Sequence, residues 1–206
     1  SPRTELGSLA SPSEIFIPYD NMLYMATSDI CDCFYACDCP PGLEQFFCLE
    51  HDISPDEALD VTGGDFDLAN HGDLRISPCF KVLPMGFNWS FYLVQVLHEQ
   101  AALSALGQDR DTVFLDGHPS PVLQHRGCYS MPYCDNVHVL SLDPGVCQSG
   151  KDAVVAKLEN MGFTLHEHTE ASTITQTLGG ILDGSTGQVR GTPRRMWSLI
   201  FAFEHI

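Results

Sequence analysis

The segment that most restricts the fold runs from Gly127 to Leu142 and reads GCYSMPYCDNVHVLSL. Two runs rich in apolar and β-branched residues, Cys128–Tyr133 and Val137–Leu142, flank the polar centre Cys134-Asp135-Asn136. Asp and Asn favour tight turns because their short side chains bond to nearby backbone and tolerate left-handed conformations. Two strand-like runs joined in this way predict a β-hairpin with the carboxylate of Asp135 at its tip.

A second acidic residue lies near the end of another predicted strand, Asn21–Ile30, which carries Asp29. Two strands that each bring an Asp to one edge of a sheet could hold a divalent metal ion, because Mg²⁺ prefers oxygen ligands. A pair of such ions can stabilise both the entering and the leaving oxygen of a phosphoryl displacement.

Four short motifs follow one another over roughly residues 29–184. The hairpin motif Tyr133-Cys134-Asp135-Asn136 resembles the Tyr-x-Asp-Asp box of reverse transcriptases, with Asn in the last place, and the four motifs come in that family's order. Leu83-Pro84-Met85-Gly86, followed by Ser90 and Gln95, is similar to its Leu-Pro-x-Gly-x-x-x-Ser-x-x-x-x-Gln segment. Asp29, followed five residues later by Phe34, resembles the first aspartate box, and residues 178–183 resemble a Leu-Gly strand further downstream.

The resemblance implies an RNA-directed DNA polymerase (reverse transcriptase) palm from a retroelement such as a retrotransposon. Asp29 and Asp135 would be the catalytic residues and would bind Mg²⁺ or Mn²⁺, with the Ile30 carbonyl and Asn136 as further metal ligands. The expected nucleotide-binding residues are Phe34, whose ring would select deoxynucleotides, together with Pro84, Met85, Gly86 and Gln95. The expected primer-contacting residues are Tyr133 and Gly179.

The sequence departs from the family pattern at several places. Asn136 replaces the second hairpin Asp, and the family's Lys after the hairpin, a candidate proton donor to pyrophosphate, has no obvious counterpart. His166 stands in that region and could donate a proton near neutral pH. The alternative is that His166 and His168 form a surface pair on one face of a strand.

The composition is unusual for a nucleic-acid-binding protein. The 206 residues contain 27 Asp and Glu but 10 Lys and Arg, for a net charge of −17. Binding to nucleic acid draws much of its affinity from Lys and Arg that neutralise phosphates. We therefore expect a partial or degenerate copy, which reaches its template-primer and dNTPs through a full-length protein with fingers and thumb segments missing here. The alternative is a catalytically inactive palm-like relic or scaffold.

The cysteines and the apolar runs bear on location. An odd number of cysteines, nine, in a chain with 44% hydrophobic residues predicts reduced thiols and an intracellular protein of cytoplasm or nucleus. The longest apolar run, Phe91–Leu97, is too short for a membrane span, which needs about 20 residues. Cys31-x-Cys33-x3-Cys37-x-Cys39 leaves open a different class of protein, a Cys-rich metal-binding module with thiolate ligands for zinc.

The predicted elements add up to an α+β fold, with a mainly antiparallel sheet backed by helices; the resemblance makes it polymerase palm-like. Residues 1–18 are expected to be a linker or a remnant of the fingers, 19–190 the palm, and 191–206 the start of a C-terminal helix with the thumb absent. Helices are predicted over 41–50, 87–106, 149–162 and 194–206. Strands are predicted over 74–83, 163–166 and 173–182, with a turn over 183–187 and an acidic loop over 52–73.

Overall fold

The computed structural model describes residues 3–18, 20–67 and 75–204. Its helices are α1 Ala10–Ser13, α2 Pro55–Val61, α3 Asn88–Leu106, α4 Pro144–Asn160 and α5 Pro193–Glu204. Its strands are β1 Tyr24–Ile30, β2 Tyr129–Ser130, β3 Asn136–Ser141, β4 Leu165–His166, β5 Ile174–Thr177, β6 Gly180–Asp183 and β7 Gln188–Gly191. Short 3₁₀ turns cover Glu44–Phe46 and Arg110–Thr112. These elements confirm the predicted α+β class.

The centre of the molecule is a four-stranded sheet in the order β2-β3-β1-β4, in which every neighbouring pair is antiparallel. The predicted hairpin is confirmed: Tyr129 pairs with Leu140, and Tyr133 and Asn136 exchange backbone hydrogen bonds across the turn. β1 lies between β3 and β4 although it comes first in the chain. The C-terminal end of β1, the short strand β4 and the hairpin turn before β3 therefore lie at the same end of the sheet.

Helices α3 and α4 pack against each other, and α4 also packs on β1 and β3. They cover one face of the sheet with a core that includes Ile30, Val137 and Val139. The long helix α3 was predicted within one residue, and Gly107 ends it in the left-handed conformation with φ 61°. Phe87 is its N-cap residue, and the Ser90 hydroxyl in the first turn donates to the Pro84 carbonyl.

Helix α4 begins five residues before the predicted start at Ser149. Pro144 occupies the first turn, and the Asp143 side chain accepts hydrogen bonds from the Gly145 and Val146 amides. An N-cap Asp followed by Pro is a strong start signal, since Pro lacks an amide hydrogen that this position would leave unpaired. Ser149 and Gly150, where the helix was expected to start, lie inside it. Gly150 is buried there against Cys128 and Val139.

A second sheet, β5-β6-β7, lies towards the other face of the central sheet. The prediction of one strand over residues 173–182 was wrong, because Leu178 and Gly179 both adopt positive φ, 47° and 74°, and turn the chain between β5 and β6. The predicted turn over 183–187 is confirmed, with the Asp183 carboxylate accepting from the Ser185 and Thr186 amides. The core below this sheet includes Met25, Phe114, Leu140, Leu182, Leu9, Ile15 and Ile17.

The region between β1 and α3 differs most from the predictions. The helix expected over 41–50 is only the 3₁₀ turn Glu44–Phe46. The expected acidic loop contains α2, which starts with a capping box between Ser54 and Glu57. The strand expected over 74–83 is represented by isolated bridges to the segment 38–53, and Leu74 lies outside the described residues.

Two further findings concern the ends of the described chain. The segment predicted as a linker packs on the domain, since the Gly7 amide donates to Pro132 and the Asp116 amide donates to Leu6. Helix α5 carries exposed Met196, Trp197 and Phe201 on its surface.

Within the described ranges, none of the helices is both long and apolar enough to cross a membrane.

Candidate functional site

The two acidic residues singled out in the sequence meet at one end of the central sheet. Asp29 and Asn136 are direct partners in the antiparallel register of β1 and β3, and the Ile30 amide donates to the Asp135 carbonyl at 2.8 Å. Side chains of directly opposed residues lie on the same face of a sheet. Met25 and Leu140, four residues away on each strand, belong to the core opposite the helices, so Asp29 and Asn136 lie on that face.

The Asp29 carboxyl sits in an environment that disfavours its ionised form. Its side chain is 27% exposed. Its pKa is raised above the ordinary value, first by burial and then by the negative charge of Asp135, while the hydrogen bond from His166 acts in the opposite direction. Burial and a like charge both favour protonation of a carboxyl. A cation bound between the two carboxylates would relieve that repulsion, so the donor set fits a hard divalent ion.

Asn136 and Ile30 hold this pair in place. The Asn136 side-chain amide donates to Asp135 Oδ1 at 2.7 Å, which leaves the Asn136 amide oxygen as its atom that could ligate a cation. The Ile30 side chain is 2% exposed and belongs to the helix-side core, so its backbone is fixed between the hairpin and β4. Both predicted auxiliary ligands thus border the two carboxylates.

His166, the last residue of β4, and His168, two residues later, have different partners. His166 is opposite Asp29 in the β1–β4 register, and its Nε2 donates to Asp29 Oδ2 at 3.1 Å. His168 Nδ1 lies 2.8 Å from the Ser28 hydroxyl. Glu167 between them has φ 50°, which turns the backbone sharply at this point. His166 therefore belongs to the acidic site through its bond to Asp29. His168 bonds separately to Ser28, a different residue of β1.

Helix α3 fixes the hairpin turn that carries Asp135. Cys134 adopts φ 50°, a conformation in which a side chain costs free energy, so the left-handed residue of the turn is Cys134 and not Asp135 or Asn136. The Cys134 amide donates to Gln95 Oε1 at 2.7 Å, and Gln95 Nε2 donates to the Pro132 carbonyl at 3.0 Å. The Cys134 carbonyl accepts from His98 Nδ1 at 2.8 Å.

Gln95 is therefore placed differently from a residue that touches a nucleotide. It is 2% exposed and both ends of its amide bond to backbone of the hairpin. Such a residue positions the turn from beneath. The sequence analysis missed His98, although it follows Gln95 by three residues and so lies on the same face of the helix.

The buried histidines predict a pH dependence of stability. Burial lowers the pKa of both His98 and His138 from 6.5 to about 4. The unfolded chain therefore binds more protons than the native protein between these values, and stability is fully present above pH 6.5 and falls as the pH is lowered towards 4. The slope is about 1.4 kcal/mol per pH unit for each histidine.

Denaturant unfolding across that range measures this slope. His98→Asn keeps a donor at the position of Nδ1 and removes one titrating group, so it is expected to reduce the slope by about 1.4 kcal/mol per pH unit. His51→Asn, at an exposed histidine, is the matched control and should leave the slope unchanged. An equal slope in His98→Asn and the unmodified protein would contradict the assignment of His98 as neutral in the fold.

The predicted nucleotide-binding turn lies at the surface before α3. Met85 is 68% exposed, and Gly86 adopts φ 96° with open space where a Cβ would be. The Ser90 hydroxyl holds the turn through Pro84 at 2.9 Å. Phe34 is half-buried and its ring lies 6.5 Å from that of Phe91, so its observed contact is packing against α3.

The two predicted primer-contacting residues line one cleft. Tyr133 and Gly179 border an open cleft of about 690 Å³, together with Arg190 and Arg195. Arg195 Nη1 donates to the Leu178 carbonyl at 3.0 Å, which ties α5 to the β5–β6 turn. This is where basic side chains approach the hairpin in an otherwise acidic chain. Another cleft, of about 620 Å³ around residues 108–129, contains none of the predicted site residues.

The cysteine-rich segment is not arranged as a metal centre. Cys33 is buried and Cys37 is half-buried against the core, and burial raises the pKa of both thiols. The Cys39 thiol donates to the Val82 carbonyl at 3.0 Å. Within the described part of the chain, no group of three or more His, Cys, Asp or Glu side chains could hold a metal ion. Asp29, Asp135 and His166 are therefore not placed as such a group, and a cation at this site would need the Ile30 carbonyl and the Asn136 amide oxygen as further ligands.

The structure thus gathers Asp29, Asp135, Asn136 and the Ile30 backbone at one end of the sheet, adds His166 to them, and places Gln95 and His98 beneath the turn. Cys134 supplied no sequence signal for its left-handed conformation, because Cys is not a residue that favours turns.

In comparisons with known proteins, neither a family nor a curated sequence was found that matches this chain.

Proposed function

We propose that this chain is the palm of an RNA-directed DNA polymerase of a retroelement, a domain that transfers dNTPs to a primer 3′-hydroxyl with divalent metal ions. The observation that carries the proposal is the register of β1 and β3. It sets Asp29 opposite Asn136 and beside the turn residue Asp135, where burial and then the charge of Asp135 raise the pKa of Asp29. Repulsion of this kind is expected where carboxylates await a cation.

Three other features support the proposal. An antiparallel sheet carries Asp29 on the face opposite two long helices, with Asp135 in the turn beside it, as the family's palm would require. The Pro84–Gly86 turn, which matches a family motif, is exposed and leads directly into α3. The cleft that contains Tyr133 and Gly179 adjoins the hairpin and brings two arginines to it, which suits the phosphates of a primer.

Each side chain has a role in this chemistry. Asp29 and Asp135 would bind the cations, and the Ile30 carbonyl and the Asn136 amide oxygen would complete the protein ligands. Bound Mg²⁺ or Mn²⁺ would supply Lewis-acid stabilisation of the charge that develops on the α-phosphate. His166 would orient the Asp29 carboxylate through its hydrogen bond.

The acidic surface makes partner segments part of the proposal. Two divalent ions add four positive charges locally, which does not reverse a net charge of −17 over the whole chain. Arg190, Arg194 and Arg195 are exposed near the cleft, but further basic contacts are needed for tight binding to a polyanion. We propose that fingers and thumb segments supply them in the full-length protein, with template-primer and dNTPs as ligands.

Primer extension tests the proposal. The chain, joined to basic fingers and thumb segments of a related polymerase, is given an RNA template, a DNA primer, dNTPs and Mg²⁺ or Mn²⁺. Asp135→Asn is expected to abolish extension, whereas Asn136→Asp should increase it because a full charge replaces a dipole at the ion. Asp32→Asn is the matched control, since this exposed acid has φ 47°, which Asn tolerates. Extension that survives Asp135→Asn would overturn the assigned site.

An inactive palm-like scaffold is the second candidate function. It is favoured by Asn136, whose amide donates to Asp135 and replaces a third carboxylate. That candidate predicts binding of Mn²⁺ by calorimetry without primer extension, and recovery of extension in Asn136→Asp. Failure of both binding and extension would remove the polymerase assignment altogether.

A further inference from the structure

Two cysteines face each other across an irregular pair of surface segments that precede α3. Cys48 and Cys79 form an antiparallel bridge. The Phe80 amide donates to the Phe47 carbonyl at 3.1 Å, and the Leu49 amide donates to the Pro78 carbonyl at 2.8 Å. The hydrogen bonds therefore flank the two cysteines, which makes Cys48 and Cys79 a non-hydrogen-bonded pair.

A pair of this type has the backbone spacing that a disulfide needs. Residues opposed at a non-hydrogen-bonded position have Cα atoms about 4.5 Å apart, with their side chains closer than at hydrogen-bonded positions. Disulfides span Cα separations of about 4.4–6.8 Å. The pairing therefore brings the two sulfur atoms within bonding reach with little backbone movement.

The thiols are exposed and already interact. Both residues are solvent-exposed, and a hydrogen bond between their side chains is the first cause that raises the pKa of Cys79, ahead of burial. Each sulfur also lies 3.3 Å from a carbonyl of its own segment, Gln45 for Cys48 and Ser77 for Cys79. Cys134 and Cys147 differ from this pair, because both are buried and burial raises the pKa of each to about 12.

We propose that Cys48 and Cys79 are a thiol–disulfide exchange site that reacts with low-molecular-weight disulfides such as glutathione disulfide. The Cys48 thiolate attacks one sulfur of the small disulfide, which forms a mixed disulfide and releases one small thiolate. The Cys79 thiolate then attacks the Cys48 sulfur, forms the internal disulfide and releases the second small thiolate. Two protein thiols are oxidised, one small disulfide is reduced to two thiols, and the two protons pass to the released thiolates.

The link would fix the segment that leads to the exposed Pro84–Gly86 turn. Backbone bonds between the two segments continue from Ile53 with Ile76 to Cys39 with Lys81, and the Phe47 ring packs edge-on against Phe87 at 4.9 Å. A covalent bond in the middle of this pairing restricts its opening. The exchange site depends on neither metal binding nor nucleotidyl transfer.

The test uses the full chain in glutathione redox buffers of increasing glutathione disulfide content, followed by trapping of free thiols and peptide mass mapping. The expected product is a Cys48–Cys79 linked peptide that has lost two hydrogens and that forms reversibly. The buried cysteines should remain reduced in the buffers and be recovered in their alkylated form. Cys48→Ser and Cys79→Ser should abolish the link and leave a mixed disulfide on the remaining partner. Cys31→Ser, at a half-exposed cysteine with no cysteine opposite it in a strand pair, should still form the link.

Limited proteolysis supplies a second measurement. The oxidised protein is expected to be cut several-fold more slowly between the two segments than the reduced protein, and the two Ser variants should show no such difference. Mixed disulfides on both cysteines without an internal link, or another cysteine pair that oxidises first, would overturn the proposal.

Discussion

Replacing Gln95 by Leu is expected to lower the free energy of unfolding by about 2–3 kcal/mol. The substitution removes the acceptor of the Cys134 amide and the donor to the Pro132 carbonyl, and both backbone groups then stay buried without those partners. An unsatisfied buried polar group costs about 1–3 kcal/mol. The turn also loses a bond that holds Cys134 at φ 50°, so the strain of that conformation is no longer offset.

The same change should weaken divalent cation binding, because Asp135 lies on the turn that Gln95 holds. Calorimetric titration with Mn²⁺ is expected to show a loss of about 10- to 100-fold, typical of partners that orient a ligand without touching the metal. Gln100→Leu is the matched control on the same helix, at an exposed glutamine. If Gln95→Leu lost stability but kept full affinity for Mn²⁺, Gln95 would be a structural residue with no role in placing Asp135.

Asp29→Asn is expected to make the metal-free protein more stable at neutral pH and to abolish tight cation binding. The pKa of Asp29 is raised in the fold, so the native protein holds this proton more tightly than the unfolded chain does. The ionised carboxylate therefore opposes folding above that pKa, and the opposition is relieved as the pH falls. Removal of the like charge beside Asp135 is expected to be worth about 0.2–1 kcal/mol, the range for side-chain pairs on a sheet.

Thermal unfolding with and without Mn²⁺ separates the two effects. Bound cation should raise the melting temperature of the unmodified protein and leave that of Asp29→Asn unchanged, since only a ligand that binds the native state stabilises it. The Asn oxygen can still accept from His166, so the hydrogen bond at this position is kept. A variant that is less stable without metal would show that burial and the charge of Asp135 do not dominate at Asp29.

Local sequence signals predicted the elements whose ends are marked by residues with one strong preference. The hairpin around Cys134-Asp135-Asn136, the helix that ends at Gly107 and the turn over 183–187 follow the prediction. Regions with competing signals did not. Residues 173–182 have the β-branched composition of one strand, yet Leu178 and Gly179 reverse the chain, because two short strands can then cover the apolar core around Met25 and Leu140.

The sequence by itself determined which groups could act: two acids at strand ends, an Asn beside one of them, and a Gln-bearing helix after a Pro-x-Gly turn. Tertiary structure alone decided that Gln95 and His98 reach the backbone of a turn that lies 36–39 residues away. It also decided that His166 meets Asp29 and that Cys48 meets Cys79. The physical reason is that such contacts depend on strand register and helix packing, which are set by burial over the whole chain and leave no periodic mark in a local window.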